Sequence, residues 1–207
     1  MKIRNLTIAL SLLAIAPAAF AQETNADDKR FAIVGGYAVQ KNDSRPIDNS
    51  SLSVDGGSAA TLSASWYATP QFAVELWGAA DKFEQRVRTD EAGKLGNIDS
   101  QPVALSAQYH FGQSNATIRP FVGLGYYENN YSGGNNIRVA DQHVGLETAK
   151  GAMGTVGVDF NISPSWFARA DARYLHGGSD LTLNGTSTNE EAKMNPWIVG
   201  FGVGARF

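Results

Sequence analysis

Met194–Phe207 reads MNPWIVGFGVGARF, and its period decides the fold. Counted by twos, Trp197, Val199, Phe201, Val203, Ala205 and Phe207 share one face. Ile198, Gly200, Gly202, Gly204 and Arg206 share the other. Strict alternation over this length is a strand signal. One face is uniformly apolar, and the other is mostly small. Two readings compete for such a strand. It is either a core strand of a soluble sandwich or a wall strand of a membrane barrel. A terminal strand carrying outward aromatics would be an aggregation edge in a soluble domain. In a barrel the same face meets lipid, and the first strand closes the edge.

The front of the chain favours export. Lys2 and Arg4 precede an apolar run from Leu6 to Ala16, and Ala19-Phe20-Ala21 fits a small-x-small cleavage site. The run is shorter than the roughly 20 residues a spanning helix needs. Residues 1–21 are therefore expected to be a cleaved signal peptide, 22–29 a polar leader and 30–207 the folded domain. The chain has no cysteine, which excludes a disulfide framework, a thiol nucleophile and a thiolate metal site. Its net charge of −3 argues against nucleic acid as a partner. Average hydropathy looks soluble, as it does in membrane barrels, where half of the strand residues face inward.

Alternation recurs along the chain. Strands are predicted over about 30–40, 58–68, 72–88, 101–111, 118–129, 152–162, from Trp166 through Tyr174, and over the C-terminal stretch. Thr69-Pro70-Gln71, Gly112 to Thr117 and Ser163-Pro164-Ser165 read as short turns. Polar stretches at 42–57, 89–100, 130–147 and 177–192 read as long loops, the third holding a short helix around Val144–Lys150. Long and short connections alternate, as in an up-and-down barrel of eight antiparallel strands with both termini at the periplasmic end. Trp66, Tyr67, Phe72, Tyr109, Phe111, Phe160, Trp166 and Phe207 cluster at strand ends, as an interfacial aromatic girdle would.

The chain resembles the OmpW family of small outer-membrane barrels. Ala60-Thr61-Leu62-Ser63, Val74-Glu75-Leu76 with Ala79-Ala80, and Arg119-Pro120-Phe121-Val122-Gly123-Leu124-Gly125 carry the likeness. So do Gly157-Val158-Asp159-Phe160-Asn161-Ile162 before Trp166-Phe167, then Asp171-Ala172-Arg173-Tyr174, Asn195 to Gly204, and Arg206-Phe207. Order and spacing carry the match rather than any one short motif. The resemblance implies an all-β, eight-stranded transmembrane barrel of the bacterial outer membrane, with a narrow and partly apolar lumen. It also implies passage of small hydrophobic molecules. In the sixth strand, where the family often has tryptophans, this chain reads Lys150-Gly151-Ala152-Met153.

Strand parity nominates the site residues. Asp159, Arg169, Asp171 and Arg173 fall on inward faces, with Glu75 and Arg206 expected to join them. Enclosed charges must be paired or wet, because an isolated buried ion costs several kcal/mol. Such a set is either a gate or an ion-paired filling, since eight strands leave room for little beyond their own side chains. Trp77, Ala79 and Met153 point inward beside Gly157, either as an apolar cup for a solute or as ordinary filling. His110, expected near the periplasmic end, His143 and His176 lack metal-ligand spacing, so no metal and no cofactor is expected. Ser106 and His110 share a face without a triad or an oxyanion hole. The strand glycines precede no helix, so they are not phosphate loops; they make room for bulky inward side chains. Phe207 fits a terminal signal for barrel-insertion machinery, or a simple lipid anchor.

The expected partners are outer-membrane lipid, a small hydrophobic solute and the insertion machinery. The leading expectation is a passive conduit. A non-conducting surface barrel acting through its long loops is the alternative. A lipid-modifying enzyme ranks last, because the chain supplies no evident nucleophile constellation.

Overall fold

The computed structural model describes residues 29–42, 52–89, 93–132, 138–139, 142–146, 148–183, 186–193 and 195–207. The expected signal peptide and most of the leader lie outside them. Eight strands close a ring: β1 (Phe31–Lys41), β3 (Ser58–Tyr67), β4 (Phe72–Ala79), β6 (Gly93–His110), β7 (Ile118–Ser132), β10 (Ala149–Asn161), β11 (Trp166–Leu183) and β13 (Trp197–Arg206). Each pairs antiparallel with its neighbours, and β13 returns to β1 from Ala32↔Arg206 to Lys41↔Trp197. Phe31 and Phe207 finish that seam by exchanging both backbone hydrogen bonds at 2.9 Å. No ring strand is left with an open edge, as the apolar interior of a membrane demands.

Burial follows the alternation read from the sequence. Val199, Phe201 and Val203 face outward, and Phe201 is 69% exposed. Ile198 and Arg206, between and beyond them, are buried inside. Leu124 (77% exposed), Leu76, Leu105 and Val156 continue the apolar band around the ring. That outward face identifies hydrocarbon as the surrounding solvent.

The short turns are built from local hydrogen bonds. Thr69 Oγ1 accepts from the N–H of Phe72 at 3.0 Å, and Ser163 Oγ accepts from the N–H of Trp166 at 3.0 Å. In each case a hydroxyl three residues ahead of a strand fixes the bend before it. Gly112 takes φ 82° in the third turn, a left-handed value that favours glycine.

The other end departs from expectation. The long stretches read as loops contain strands: β2 (Leu52–Asp55), β8 (Arg138–Val139), β9 (Gln142–Leu146) and β12 (Thr186–Lys193). β6 starts at Gly93 rather than near residue 101, and β11 runs on to Leu183. The helix expected around Val144–Lys150 is absent: Val144 to Leu146 pair with β11, and Lys150 belongs to β10. Cross-strand pairing outweighs helical propensity there. The third predicted strand breaks at Ala80–Lys82, where Asp81 Oδ1 accepts from the Lys82 N–H at 2.8 Å, and resumes as β5 (Phe83–Thr89). Tyr67 is also reassigned. It shares parity with Ser63 and Ser65 and turns into the lumen, not into the girdle. Trp66, Phe72, Tyr109, Phe111, Phe160 and Trp166 are outward, as expected.

An arginine placed on the hydrocarbon-facing wall tests this sidedness. Leu124→Arg should lower unfolding free energy by about 2–4 kcal/mol near the membrane midplane, read as a fall in the urea midpoint of protein refolded into lipid vesicles. An unchanged midpoint would put Leu124 somewhere other than lipid.

Candidate functional site: a layered lumen

The lumen is stratified. At the short-turn end, three turns and the residue two places ahead of β1 are stitched together. Arg119 is buried and donates to the carbonyl of Pro70. Asn161 donates to the carbonyls of Ser114 (3.0 Å) and Ala116 (2.7 Å), while its Oδ1 accepts from Arg206 at 2.6 Å. Lys29 donates to the Ser165 hydroxyl. His110 lies between the rings of Phe121 (4.9 Å) and Tyr67 (5.4 Å).

Above this lies the ionic layer, and all six charged residues nominated from parity take part. Arg169 grips Asp159 with two hydrogen bonds, 2.7 and 3.1 Å, across the β10–β11 register pair Asp159↔Arg169. Arg206 reaches Asp159 at 2.8 Å, and Arg173 holds Asp171 at 2.8 Å. Glu75 does something different. Its two oxygens accept from Arg169 at 2.7 Å and from Arg173 at 2.8 Å. β4 and β11 stand on opposite sides of the ring, so these bonds cross the full bore. Gln108 adds a third donor to Glu75 at 2.8 Å. Aromatic faces support the guanidiniums: Arg169 over Phe121 (4.6 Å), Arg206 over Phe167 (4.1 Å) and Arg173 over Trp77 (4.5 Å). A Cβ on Gly157 or Gly204 would strike those Phe121 and Phe167 rings at 2.4 and 2.3 Å. Glycine in these strands makes the room.

The third layer is apolar. Trp77, Phe83, Tyr127, Met153, Leu175 and Ile198 are buried together, with Ala79 among them. The nominated Trp77, Ala79 and Met153 therefore meet in one layer, on top of the ionic one. An amide layer covers it. Gln40 donates to Asn42 (3.0 Å) and Asn42 to Gln85 (2.7 Å), and the single Ser100 hydroxyl proton is shared between the amide oxygens of Asn129 (3.0 Å) and Gln40 (3.3 Å). The free space among Thr61, Ser63, Trp77, Asp171 and Arg173 is about 10 Å³, on the scale of one water.

Parity reasoning missed Arg119 and the amide layer. Arg119 lies two residues from the inward Phe121, so the same alternation contains it. Gln40 and Gln85 lie inside the strands predicted over 30–40 and 72–88, where the same parity contains them, and Ser100 lies in a stretch read as loop, where no face is assigned. Ser106 and His110 are both buried, but His110 Nε2 contacts Gln108 (3.2 Å) and Ser106 Oγ has no partner among the described atoms. Among the described residues no cluster of His, Asp and Glu could hold a metal ion.

The sequence profile of the OmpW family matches residues 32–207. The chain belongs to the OmpW family. Outer membrane protein W of Salmonella typhimurium is 31% identical over 156 residues, 70% of this chain and 71% of that protein. Outer membrane protein AlkL of Ectopseudomonas oleovorans is 21% identical over 166 residues, 75% of this chain and 69% of that protein. Among solved structures, Escherichia coli outer membrane protein W superposes with a TM-score of 0.61 at 25% identity, covering 87% of this chain and 99% of that one. Pseudomonas aeruginosa OprG gives a TM-score of 0.69 at 22% identity, covering 87% and 97%, a likeness of fold. The protein is thus an outer-membrane β-barrel of this family.

The bore-crossing contact predicts an asymmetry between ion pairs. Glu75→Gln leaves two buried guanidiniums short of a counter-charge and should cost about 3–5 kcal/mol. Lys82→Gln loses only exposed contacts, the Lys82–Asp99 pair at 3.5 Å and the bond to the Ser132 hydroxyl at 3.0 Å, and should cost about 0–1 kcal/mol. Urea unfolding of both variants in vesicles reads the difference; equal costs would mean that the clamp is wet.

Proposed function

We propose that the barrel is a narrow passive conduit for small hydrophobic molecules, received at the outer end and released sideways into the membrane. The observation that carries this is the order of the layers. An apolar layer lies between the amide layer on its outer side and the ionic layer below, and the ionic one spans the bore. A solute that reached Trp77 and Met153 would gain apolar contact, then meet charges too costly to strip of their partners. The inexpensive way onward is through the wall.

The wall beside this layer is thin at the β1–β13 seam. Gly36, Arg169, Phe201 and Gly202 line both an outer groove of about 620 Å³ and a small interior space where Trp77 meets the ionic layer. Gly36 pairs with Gly202, so two side chains are missing from the inner surface at one register position. Outside, Gly35, Ala168 and Ala170 lie between the bulkier Tyr37, Phe160 and Val203. The filled lumen favours a second reading, a non-conducting surface barrel that acts through its outer hairpins.

One cross-link separates the two. Ala38 and Gly200 are register partners, and a Cβ on Gly200 would stand 3.4 Å from that of Ala38, close to the roughly 3.5–4.5 Å of a disulfide. The chain has no other cysteine. Ala38→Cys/Gly200→Cys should slow uptake of a small hydrophobic solute when oxidised and restore it on reduction. Uptake that ignores the redox state would remove sideways release at this seam. Uptake unchanged by deletion of the whole protein, with hairpin exchange altering surface binding instead, would favour the second reading.

A further inference from the structure

The enclosed charges do not balance. Among the described residues the lumen buries four guanidiniums, Arg119, Arg169, Arg173 and Arg206. Three carboxylates face them: Glu75, Asp159 and Asp171. One positive charge is left over, and the pairing shows where it sits. Arg169, Arg173 and Arg206 each contact a carboxylate within 2.8 Å. Arg119 contacts none; it has the Pro70 carbonyl and the face of the Tyr67 ring, 5.7 Å away. Lys29, buried at the rim, adds to the surplus rather than offsetting it.

Unmet donors gather in the same place. Arg119 Nε, Arg206 Nε and the Tyr67 hydroxyl are buried with no hydrogen-bond partner among the described atoms. His110 Nδ1, 3.8 Å from Asp159 Oδ2, is also without a partner, but with Nε2 turned to the Gln108 amide oxygen it is the acceptor nitrogen of the ring and adds no donor. Tyr67 links the set, one ring contact from His110 and one from Arg119. Buried water would satisfy N–H and O–H groups. Water does not neutralise a surplus guanidinium in a medium where an unpaired ion costs several kcal/mol. An anion does both.

We propose that the short-turn end of the lumen binds one small monovalent inorganic anion, of the size and charge of chloride, against Arg119. Arg119 Nε, the Tyr67 hydroxyl and Arg206 Nε supply the donors. The anion completes the charge balance of the ionic layer and so is a structural ligand. It stands beneath the Glu75 clamp, away from the apolar layer, and does not depend on the transport reading.

The test uses the full barrel refolded in vesicles and chloride itself as the probe. With gluconate replacing chloride at constant ionic strength, the unfolding midpoint should rise with chloride and then level off, as for a ligand that binds only the folded state. Arg119→Gln removes the surplus charge and should abolish that rise, while Lys82→Gln at the outer surface should keep it. Should Arg119→Gln fail to fold, the wild type decides alone: its excess chlorine NMR linewidth should fall as iodide competes. A midpoint indifferent to chloride, a rise that persists in Arg119→Gln, or a linewidth untouched by iodide would each overturn the proposal.

Discussion

Glu75 reaches across the bore to Arg169 and Arg173, and the rest of the interior is arranged around that reach. Two carboxylate oxygens from β4 meet two guanidiniums from β11 on the far wall. Such a contact forms only in a small barrel, where side chains from opposite strands touch. It also limits what the barrel can be. Wide aqueous channels require far more strands, and here the midsection is occupied by the protein's own ions. Their burial is tolerable because Glu75 and Asp159 accept three charge-assisted bonds each, which offsets the loss of water.

The layers on either side follow from this clamp. Aromatic faces of Phe121, Phe167 and Trp77 pack against the guanidiniums. Trp77 belongs to both worlds, with Arg173 over its ring and the apolar cluster at its side. Below, the turns are tied to one another through Asn161 and Arg119, so the mouth at that end is closed by hydrogen bonds rather than by a lid. The outer wall answers a separate demand, the solvation of hydrocarbon, and meets it with Leu, Val and Phe on every second residue.

Much of this was legible in the sequence, because a period of two assigns a side to every residue of a strand. Val199 against Ile198, or Trp77 against Leu76, needed nothing more. Parity fixes the side but not the height or the direction around the ring. That Asp159 meets Arg169 follows from neighbouring strands. That Glu75 meets the same arginine across the lumen does not, since the two lie 94 positions apart on opposite walls. Tyr67 shows the reverse error: composition placed it in the girdle, although its parity with Ser63 and Ser65 pointed inward. The outer hairpins were read as loops for a physical reason. Stretches such as Gly93–Ser100 stand above the membrane, where no lipid imposes an apolar face, so alternation fades while backbone pairing continues.

The central claim is that the layer directly above the clamp is apolar and that the bore is shut at the clamp. Its most direct test is the location of a brominated short-chain alkane in crystals of the full barrel, read by anomalous scattering. The account predicts bromine beside Trp77 and Met153, or in the groove outside the β1–β13 seam, and none below Glu75. Bromine between Asp159 and the short-turn mouth, with the Glu75–Arg169 contact broken, would contradict it.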